Sequence, residues 1–327
     1  MSSERENSRR DGGSFWGNDM PDTRNCTCCP RECKADRTGD KLGWCQSADG
    51  IMISSICAHR GEEPVLSGQH GICNIFFAHC NMQCIYCQNH QISRNHTTGH
   101  GLTRLEDVLS EIETILAAGA RGVGFVSPSH SIPQMLDIIG ALNGRGHRET
   151  YVYNSNGYDK AEIIKHLEGT IGVYLPDLKY MDENLGREYS DTPDYPAIAT
   201  AAIKEMYRQK GANILLGDED VIHSGLIIRH LVLPGHVENS KAALRWIADE
   251  LSPSVHISLM SQYYPTPAVR NHPQLGRTLR PEEYEEVVAE FERLGFWRGW
   301  VQELGSPHSY RPDFDLSHPF EPDQGAQ

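Results

Sequence analysis

The chain has 327 residues, enough for one large α/β domain with an appendage or for two ordinary domains, and its 39% hydrophobic and 23% charged residues are typical of a globular protein. A formal net charge of −14 argues against a protein that grips nucleic-acid phosphates. Because there is neither an apolar run of the roughly 18–20 residues that a membrane span needs nor an apolar secretory segment, we expect a soluble, cytoplasmic protein with no nucleic-acid or membrane partner.

The sequence divides into four segments. Residues 1–24 are polar and are expected to form a disordered arm, and residues 25–67 form a cysteine-rich, turn-rich extension with little periodicity. Through residues 68–311, short apolar runs alternate with amphipathic stretches, which predicts the main folded domain. Residues 312–327 are expected to be an irregular tail.

Six apolar runs predict the strands of that domain. They are ICNIFFA, GVGFVSP, TYVYN, GVYLPD, GLIIRHLVLPG and VHISLM, and each is followed by a stretch with helical spacing of its apolar residues. Such strand-then-helix units predict a parallel sheet with right-handed crossovers. An eight-unit barrel needs about 250 residues, so an open, partial (β/α)6 barrel fits the remaining length better. Ligands bind at the carboxyl ends of such strands, so functional residues should follow the apolar runs.

All ten cysteines lie between positions 26 and 87, which favours metal ligands over disulfides in a chain without an export signal. Directly after the first predicted strand, Cys80, Cys84 and Cys87 form C-x3-C-x2-C, with Tyr86 before the last cysteine. Three thiolates on a short loop can hold three irons of a [4Fe–4S] cluster and leave the fourth iron open. A structural zinc site, by contrast, takes four protein ligands.

This motif, after the first strand of a six-unit barrel, resembles that of the radical S-adenosylmethionine (SAM) superfamily. The segments FFAHCNMQCIYCQNHQIS, NSNGYD, YLPDLKYMD and RHLVLPGHVENS are similar to its pyruvate formate-lyase activating-enzyme-like branch, above all to members with an N-terminal C-x2-C-P-R-x-C element. The resemblance implies that SAM binds the open iron. It also implies that reductive cleavage of SAM gives methionine and a 5′-deoxyadenosyl radical, which abstracts hydrogen from a substrate. A flavodoxin or ferredoxin is the implied electron donor.

The resemblance also implies SAM contacts near the strand ends. Tyr86 is expected to pack near the adenine. Where many members have a Gly-Gly-Glu turn after the second strand, this chain has Ser127 and Ser129, whose hydroxyls or the neighbouring carbonyls would hold the SAM amino group. Asn154 and Asn156 belong to an N-S-N-G turn similar to the family's D-T-N-G, and they are expected in the SAM site.

Further candidates follow the later strands. Asp177 and Lys179 are two apart on an extended segment, so both can face one cavity and pair, and they match the family's D-x-K element. Lys179 is predicted to be catalytic together with the cluster cysteines. A charge inside an apolar strand, such as Arg229, is costly unless it is paired or reaches a cavity. The resemblance places Arg229 against the SAM carboxylate and ribose and Leu231 beside the adenine, while Gln262 is a candidate adenine or substrate contact.

The N-terminal cysteines predict a second metal centre. Cys26, Cys29, Cys33 and Cys45 form C-x2-C-x3-C-x11-C, and Cys28 can replace Cys26 or Cys29 in this set. Four thiolates on a turn-rich segment suit either zinc or an additional iron–sulfur cluster.

These observations predict a radical SAM oxidoreductase that acts on a protein or a small molecule. An activase that forms a glycyl radical on a partner protein is one form of this prediction. The alternative is a non-enzymatic iron–sulfur electron carrier or redox sensor, which would want a fourth cysteine after Cys87, and the chain has none. A zinc-stabilised binding module is a third interpretation.

Overall fold

The computed structural model describes residues 21–96, 101, 103–305, 311–316 and 318–320. Most of the predicted disordered arm, 1–24, and much of the predicted tail, 312–327, therefore lie outside the described residues. The strands are β1 (Ile53–His59), β2 (Ile72–Phe77), β3 (Gly122–Val126), β4 (Thr150–Ser155), β5 (Val173–Pro176), β6 (Leu215–Leu216), β7 (Ile222–Leu231), β8 (His256–Met260) and β9 (Gly299–Val301). The helices are α1 (Pro64–Ser67), α2 (His90–Ser93), α3 (Leu105–Ala117), α4 (Ile132–Gly144), α5 (Ala161–His166), α6 (Glu183–Ser190), α7 (Tyr195–Lys210), α8 (Val237–Glu250) and α9 (Pro281–Arg293).

The strands form one sheet in the order β1-β2-β3-β4-β5-β7-β8-β9, with β6 paired to β7. Neighbours from β2 to β9 along this order are parallel, whereas β1 and β6 run antiparallel to their partners. All six predicted strands are present, and a helix follows each of them before the next parallel strand. The predicted partial (β/α)6 barrel is confirmed. The structure adds a seventh parallel strand, β9, and an antiparallel edge strand, β1, that were not predicted.

Alternation along the strands separates two apolar layers. Outward-facing side chains such as Ile75, Phe125 and Tyr153 pack with the helices in the larger core cluster. Five residues from β2, β4, β5 and β7 meet Leu66 of α1 in a second cluster, namely Ile72, Val152, Val173, Leu175 and Ile227. Because these residues come from four strands and still touch, they face the inside of the barrel. The segment that carries α1 therefore closes the amino-terminal end of the barrel.

The extension 25–67 is part of the barrel at its end, since β1 pairs with β2 through His59 and Ile72. Residues of the C-terminal tail pack on the same region, with the rings of Phe314 and Phe320 at 5.1 Å and 5.7 Å from the ring of Phe76. In the part of the chain that the structure describes, no helix has both the length and the apolar character that crossing a membrane requires.

Candidate functional site

A cavity of about 440 Å³ lies at the carboxyl ends of the parallel strands, within the usual size range of ligand pockets. The predicted site residues that line it are Cys80, Cys84, Tyr86, Cys87, Ser127, Asn154, Asn156, Asp177, Lys179, Arg229, Leu231 and Gln262. The prediction that functional candidates follow the strand ends thus brings together almost every residue that it named.

The loop between β2 and α2 carries the three cysteines of the C-x3-C-x2-C motif. It reverses at His79, whose φ of 67° is left-handed, and it is tied to the end of α6 by a hydrogen bond from the amide N of Ile85 to the carbonyl O of Tyr189 at 2.8 Å. The amide N of Cys87 donates to the carbonyl O of Cys84 at 3.1 Å, which brings these residues into one turn. The loop is therefore fixed at both ends, with all three thiols at the cavity wall.

Each of the three sulfurs accepts a hydrogen bond from a side chain on another part of the fold. The donor–acceptor pairs are Asn156 Nδ2 to Cys80 Sγ at 3.4 Å, Ser190 Oγ to Cys84 Sγ at 3.0 Å, and Ser93 Oγ to Cys87 Sγ at 3.3 Å. Donors of this kind stabilise thiolates and tune the potential of a cluster bound to them. The donor set therefore fits a three-thiolate iron–sulfur cluster.

Among the described residues, no group of three or more His, Cys, Asp or Glu side chains is placed to hold a single metal ion. This result argues against a mononuclear zinc site at Cys80, Cys84 and Cys87. It does not conflict with a cubane cluster, because there each thiolate binds a different iron.

Tyr86 is buried in the cavity wall and belongs to a chain of hydroxyl groups. Its hydroxyl lies 2.6 Å from that of Tyr180, which lies 2.7 Å from Ser190 Oγ, the donor to Cys84. The ring is therefore held next to the cluster loop. Its predicted contact with adenine stays a prediction.

The turn after β3 holds only one of its two predicted contacts at the cavity. Ser127 lines the cavity with left-handed backbone angles, φ 47° and ψ 51°, and its amide N donates to Asn154 O at 2.7 Å. Ser129 is buried and is not among the lining residues. The structure therefore does not bring Ser129 together with the other predicted SAM contacts.

The N-S-N-G turn after β4 requires its glycine. Gly157 has φ of 85°, and a Cβ there would lie 2.2 Å from the carbonyl O of Asp177. The neighbouring Asn156 donates to Asn81 Oδ1 at 2.8 Å, and Asn81, which is fully buried, donates to the carbonyl O of Tyr158 at the same distance. Sequence reasoning missed Asn81, although a buried amide directly after Cys80 in the cluster loop is the signal that marks it.

Asp177 and Lys179 form the predicted pair, with Lys179 Nζ 2.5 Å from Asp177 Oδ2. Burial alone would lower the pKa of Lys179, but the carboxylate of Asp177 outweighs burial and raises it. Lys179 is thus a fixed cation at the cavity wall at neutral pH. In the isolated protein it faces its own counter-ion.

Arg229 lines the cavity, as predicted, and it is also paired. Its Nε lies 2.8 Å from Glu63 Oε1, and its Nη2 contacts both Glu62 and Glu63. Glu62 further accepts a hydrogen bond from Asn74 Nδ2 at 2.7 Å. Burial alone would raise the pKa of Glu62, but the guanidinium of Arg229 prevails and lowers it to about 2. The sequence Gly-Glu-Glu-Pro reads as a surface turn, so both carboxylates were missed.

His230, next along β7, faces away from the cavity, as the alternation of a strand requires. It is fully buried, with Nδ1 2.6 Å from Leu178 O and Nε2 2.8 Å from Ser240 Oγ. Its role is structural.

The N-terminal cysteines lie around a buried arginine. Cys26, Cys29 and Cys45 are buried, whereas Cys33 is an exposed residue. Arg37 lies with Nη1 4.0 Å from the sulfur of Cys28 and donates to the carbonyl O of His130 at 2.7 Å, which docks this segment on the barrel. Since no described group of three ligands is placed for one ion, the structure gives no support to zinc here. The second metal centre stays a prediction.

Comparisons with known proteins were made for the whole chain. No protein-family model matches it. An uncharacterised protein of Methanocaldococcus jannaschii is 28% identical over 274 residues, which cover 81% of this chain and 73% of that protein.

Three solved structures illustrate the similarity of the fold. A domain of pyruvate-formate lyase-activating enzyme from Bacteroides vulgatus is 16% identical, with a TM-score of 0.40 over 56% of this chain and 99% of that domain. The branch that the sequence resembles recurs here. FeFe-hydrogenase maturase HydG from Carboxydothermus hydrogenoformans is 13% identical, with a TM-score of 0.43 over 66% and 49% of the two chains. The protein anSMEcpe with bound AdoMet is 12% identical, with a TM-score of 0.45 over 66% and 57%. At these identities and scores the similarity assigns no activity to this chain.

Proposed function

We propose that this protein is a radical SAM enzyme that uses a [4Fe–4S] cluster to cleave SAM reductively. One observation carries the proposal: Cys80, Cys84 and Cys87 line one ligand-sized cavity, and a separate hydrogen-bond donor faces each sulfur. No other cysteine of the described residues lines that cavity. Three thiolates without a fourth leave one iron open, which is what a cofactor that binds iron directly requires.

When bound, the cluster and SAM supply an electron and a carbon-centred radical for hydrogen abstraction. The chain's own residues prepare the site for them. Asn156, Ser190 and Ser93 orient the three sulfurs and stabilise their charge. Apolar wall residues such as Phe76 and Met260 limit the access of water, which protects a reactive radical from side reactions.

Polar residues around the cavity are proposed to hold SAM. Asn154, Asp177 and Lys179 face it from the ends of β4 and β5, and Leu231 offers an apolar surface beside Arg229. The ion pair of Asp177 and Lys179 can open toward a ligand that carries both an ammonium and a carboxylate group, since each partner then finds a counter-ion. A flavodoxin or ferredoxin is the proposed reductant.

The substrate is proposed to be a protein or a small molecule. The resemblance to activating enzymes makes a glycyl-radical protein one candidate, and a side chain or a small molecule the other. The choice depends on what the cavity can accept.

The proposal is tested by 5′-deoxyadenosine formation. Protein purified and loaded with iron and sulfide under anaerobic conditions is reduced with dithionite and given SAM, and the nucleoside is quantified by chromatography. We expect product from the parent and from Cys73→Ala, whose thiol is buried in the core against the helices, and none from Cys84→Ala. A fully iron-loaded parent that neither binds nor cleaves SAM would refute the proposal and favour an electron carrier.

A further inference from the structure

The cavity contains a second group of polar side chains apart from the cluster loop. It consists of His59, Glu62, Glu63 and Arg229, and we call it the floor site. Glu62 and Glu63 immediately precede α1, which closes the amino-terminal end of the barrel, and Arg229 reaches them from β7. The two carboxylate side chains are 9% and 5% exposed.

The floor site carries an unmatched negative charge. Two carboxylates face one guanidinium, and the other ion pair of the cavity, Asp177 with Lys179, is balanced. His59 does not supply the missing positive charge, because burial lowers its pKa, although Glu62 acts in the opposite direction. A buried carboxylate charge without a partner is unfavourable, and a cation that enters the cavity would remove this cost.

His59 provides an independent sign that a partner is missing. It is 7% exposed, lines the same cavity, and its Nδ1 has no hydrogen-bond partner among the described residues. Buried polar atoms in proteins nearly always have one. An unpaired nitrogen beside an unmatched carboxylate is the pattern that a ligand with several N–H donors would complete.

We propose that the floor site binds a cationic nitrogen group of the substrate, an alkylammonium or a guanidinium. The identification of this ligand as substrate rests on the proposed radical SAM function. Such a group donates to the carboxylate oxygens of Glu62 and Glu63 and to His59, and Arg229 holds the two carboxylates in place. The substrate class is therefore an amine or a guanidine, free or as a basic side chain, rather than the backbone glycine of an activase target.

The test uses cluster-loaded protein with saturating SAM and no reductant, in an anaerobic calorimeter. The probes are n-butylammonium, butylguanidinium, neutral butyramide and butyrate at matched ionic strength. We expect at least tenfold tighter binding of one or both cations than of the neutral and anionic probes. Glu63→Gln should weaken cation binding at least tenfold, whereas Glu250→Gln, a half-exposed surface glutamate paired with Lys204, should not change it.

Three outcomes would overturn the assignment. Equal affinity for all four probes would show that the charge of the floor site selects nothing, and a preference for butyrate would show that Arg229 dominates. Weakened SAM binding in Glu63→Gln, together with no binding of either cation to the parent, would assign the floor site to SAM. If Glu63→Gln fails to fold, the order of the probes on the parent protein decides. Because no reductant is used, loss of probe selectivity is distinguishable from failure to form 5′-deoxyadenosine.

Discussion

Arg229→Met tests whether one guanidinium holds two buried carboxylates inside the barrel. Methionine keeps much of the length and apolar surface of the side chain but leaves Glu62 and Glu63 without a cation. Removing one partner of a buried ion pair costs about 3–5 kcal/mol, because the remaining charge stays desolvated. We therefore expect the free energy of unfolding to fall by about 3–5 kcal/mol at pH 8.

The pH dependence gives the sign of the effect. The pKa of Glu62 is lowered from 4.5 to about 2, which at about 1.4 kcal/mol for each pKa unit corresponds to roughly 3 kcal/mol. This stability is present above pH 4.5 and is lost as the pH falls toward 2. Without Arg229, burial is largely unopposed and raises the pKa of Glu62 above 4.5, so the carboxyl group then stabilises the fold at low pH and loses that effect as the pH rises. The destabilisation by Arg229→Met should therefore be smaller at pH 5 than at pH 8.

Urea unfolding followed by circular dichroism at pH 5, 6.5 and 8 measures this difference between variant and parent. The control is Arg104→Met, which removes a guanidinium that is 78% exposed and should change stability by less than about 1 kcal/mol. A loss below about 1 kcal/mol at pH 8, or the same loss at all three pH values, would show that the carboxylates do not depend on Arg229.

Two further predictions concern the barrel interior and the cluster loop. Gly124→Ala places a Cβ 2.2 Å from Asn74 Oδ1 and should destabilise the fold by about 1–3 kcal/mol in urea unfolding, whereas Gly140→Ala, with open space around it in α4, should be neutral or stabilising by up to about 1 kcal/mol; equal effects would contradict the packing argument. Ser190→Ala removes the hydroxyl that donates to a cluster sulfur and should shift the reduction potential of the loaded cluster by tens of millivolts to more negative values in an EPR-monitored titration, with Ser110→Ala on the surface of α3 as control. An unchanged potential in both variants would exclude that hydrogen bond from tuning the cluster.

The sequence was sufficient to predict the barrel because apolar runs and helical spacing are local patterns. The run ICNIFFA became β2, and TRLEDVLSEIETILAAG contains α3. The strand-end rule then placed Asn154, Asp177 and Lys179 at one cavity, since parallel strands bring their carboxyl ends to the same edge.

The closed floor of the barrel could not be predicted in the same way. Glu62 and Glu63 stand in a short turn without periodicity, and their partner Arg229 is more than 160 residues away along the chain. A charged pair of glutamates before a proline is typical of an exposed turn, so only tertiary structure shows that both are buried. Sequence reasoning did recognise that Arg229 needed a partner or a cavity, and the structure provides both.

EPR spectroscopy of the reduced, cluster-loaded protein with and without SAM tests the central claim most directly. If Cys80, Cys84 and Cys87 leave one iron of a [4Fe–4S] cluster open in this cavity, added SAM binds that iron and changes the g values of the reduced cluster. The account predicts this change in the parent protein, and no SAM-sensitive cluster signal in Cys84→Ala. A reduced [4Fe–4S] signal in the parent that saturating SAM leaves unchanged would contradict an open iron and with it the proposed chemistry.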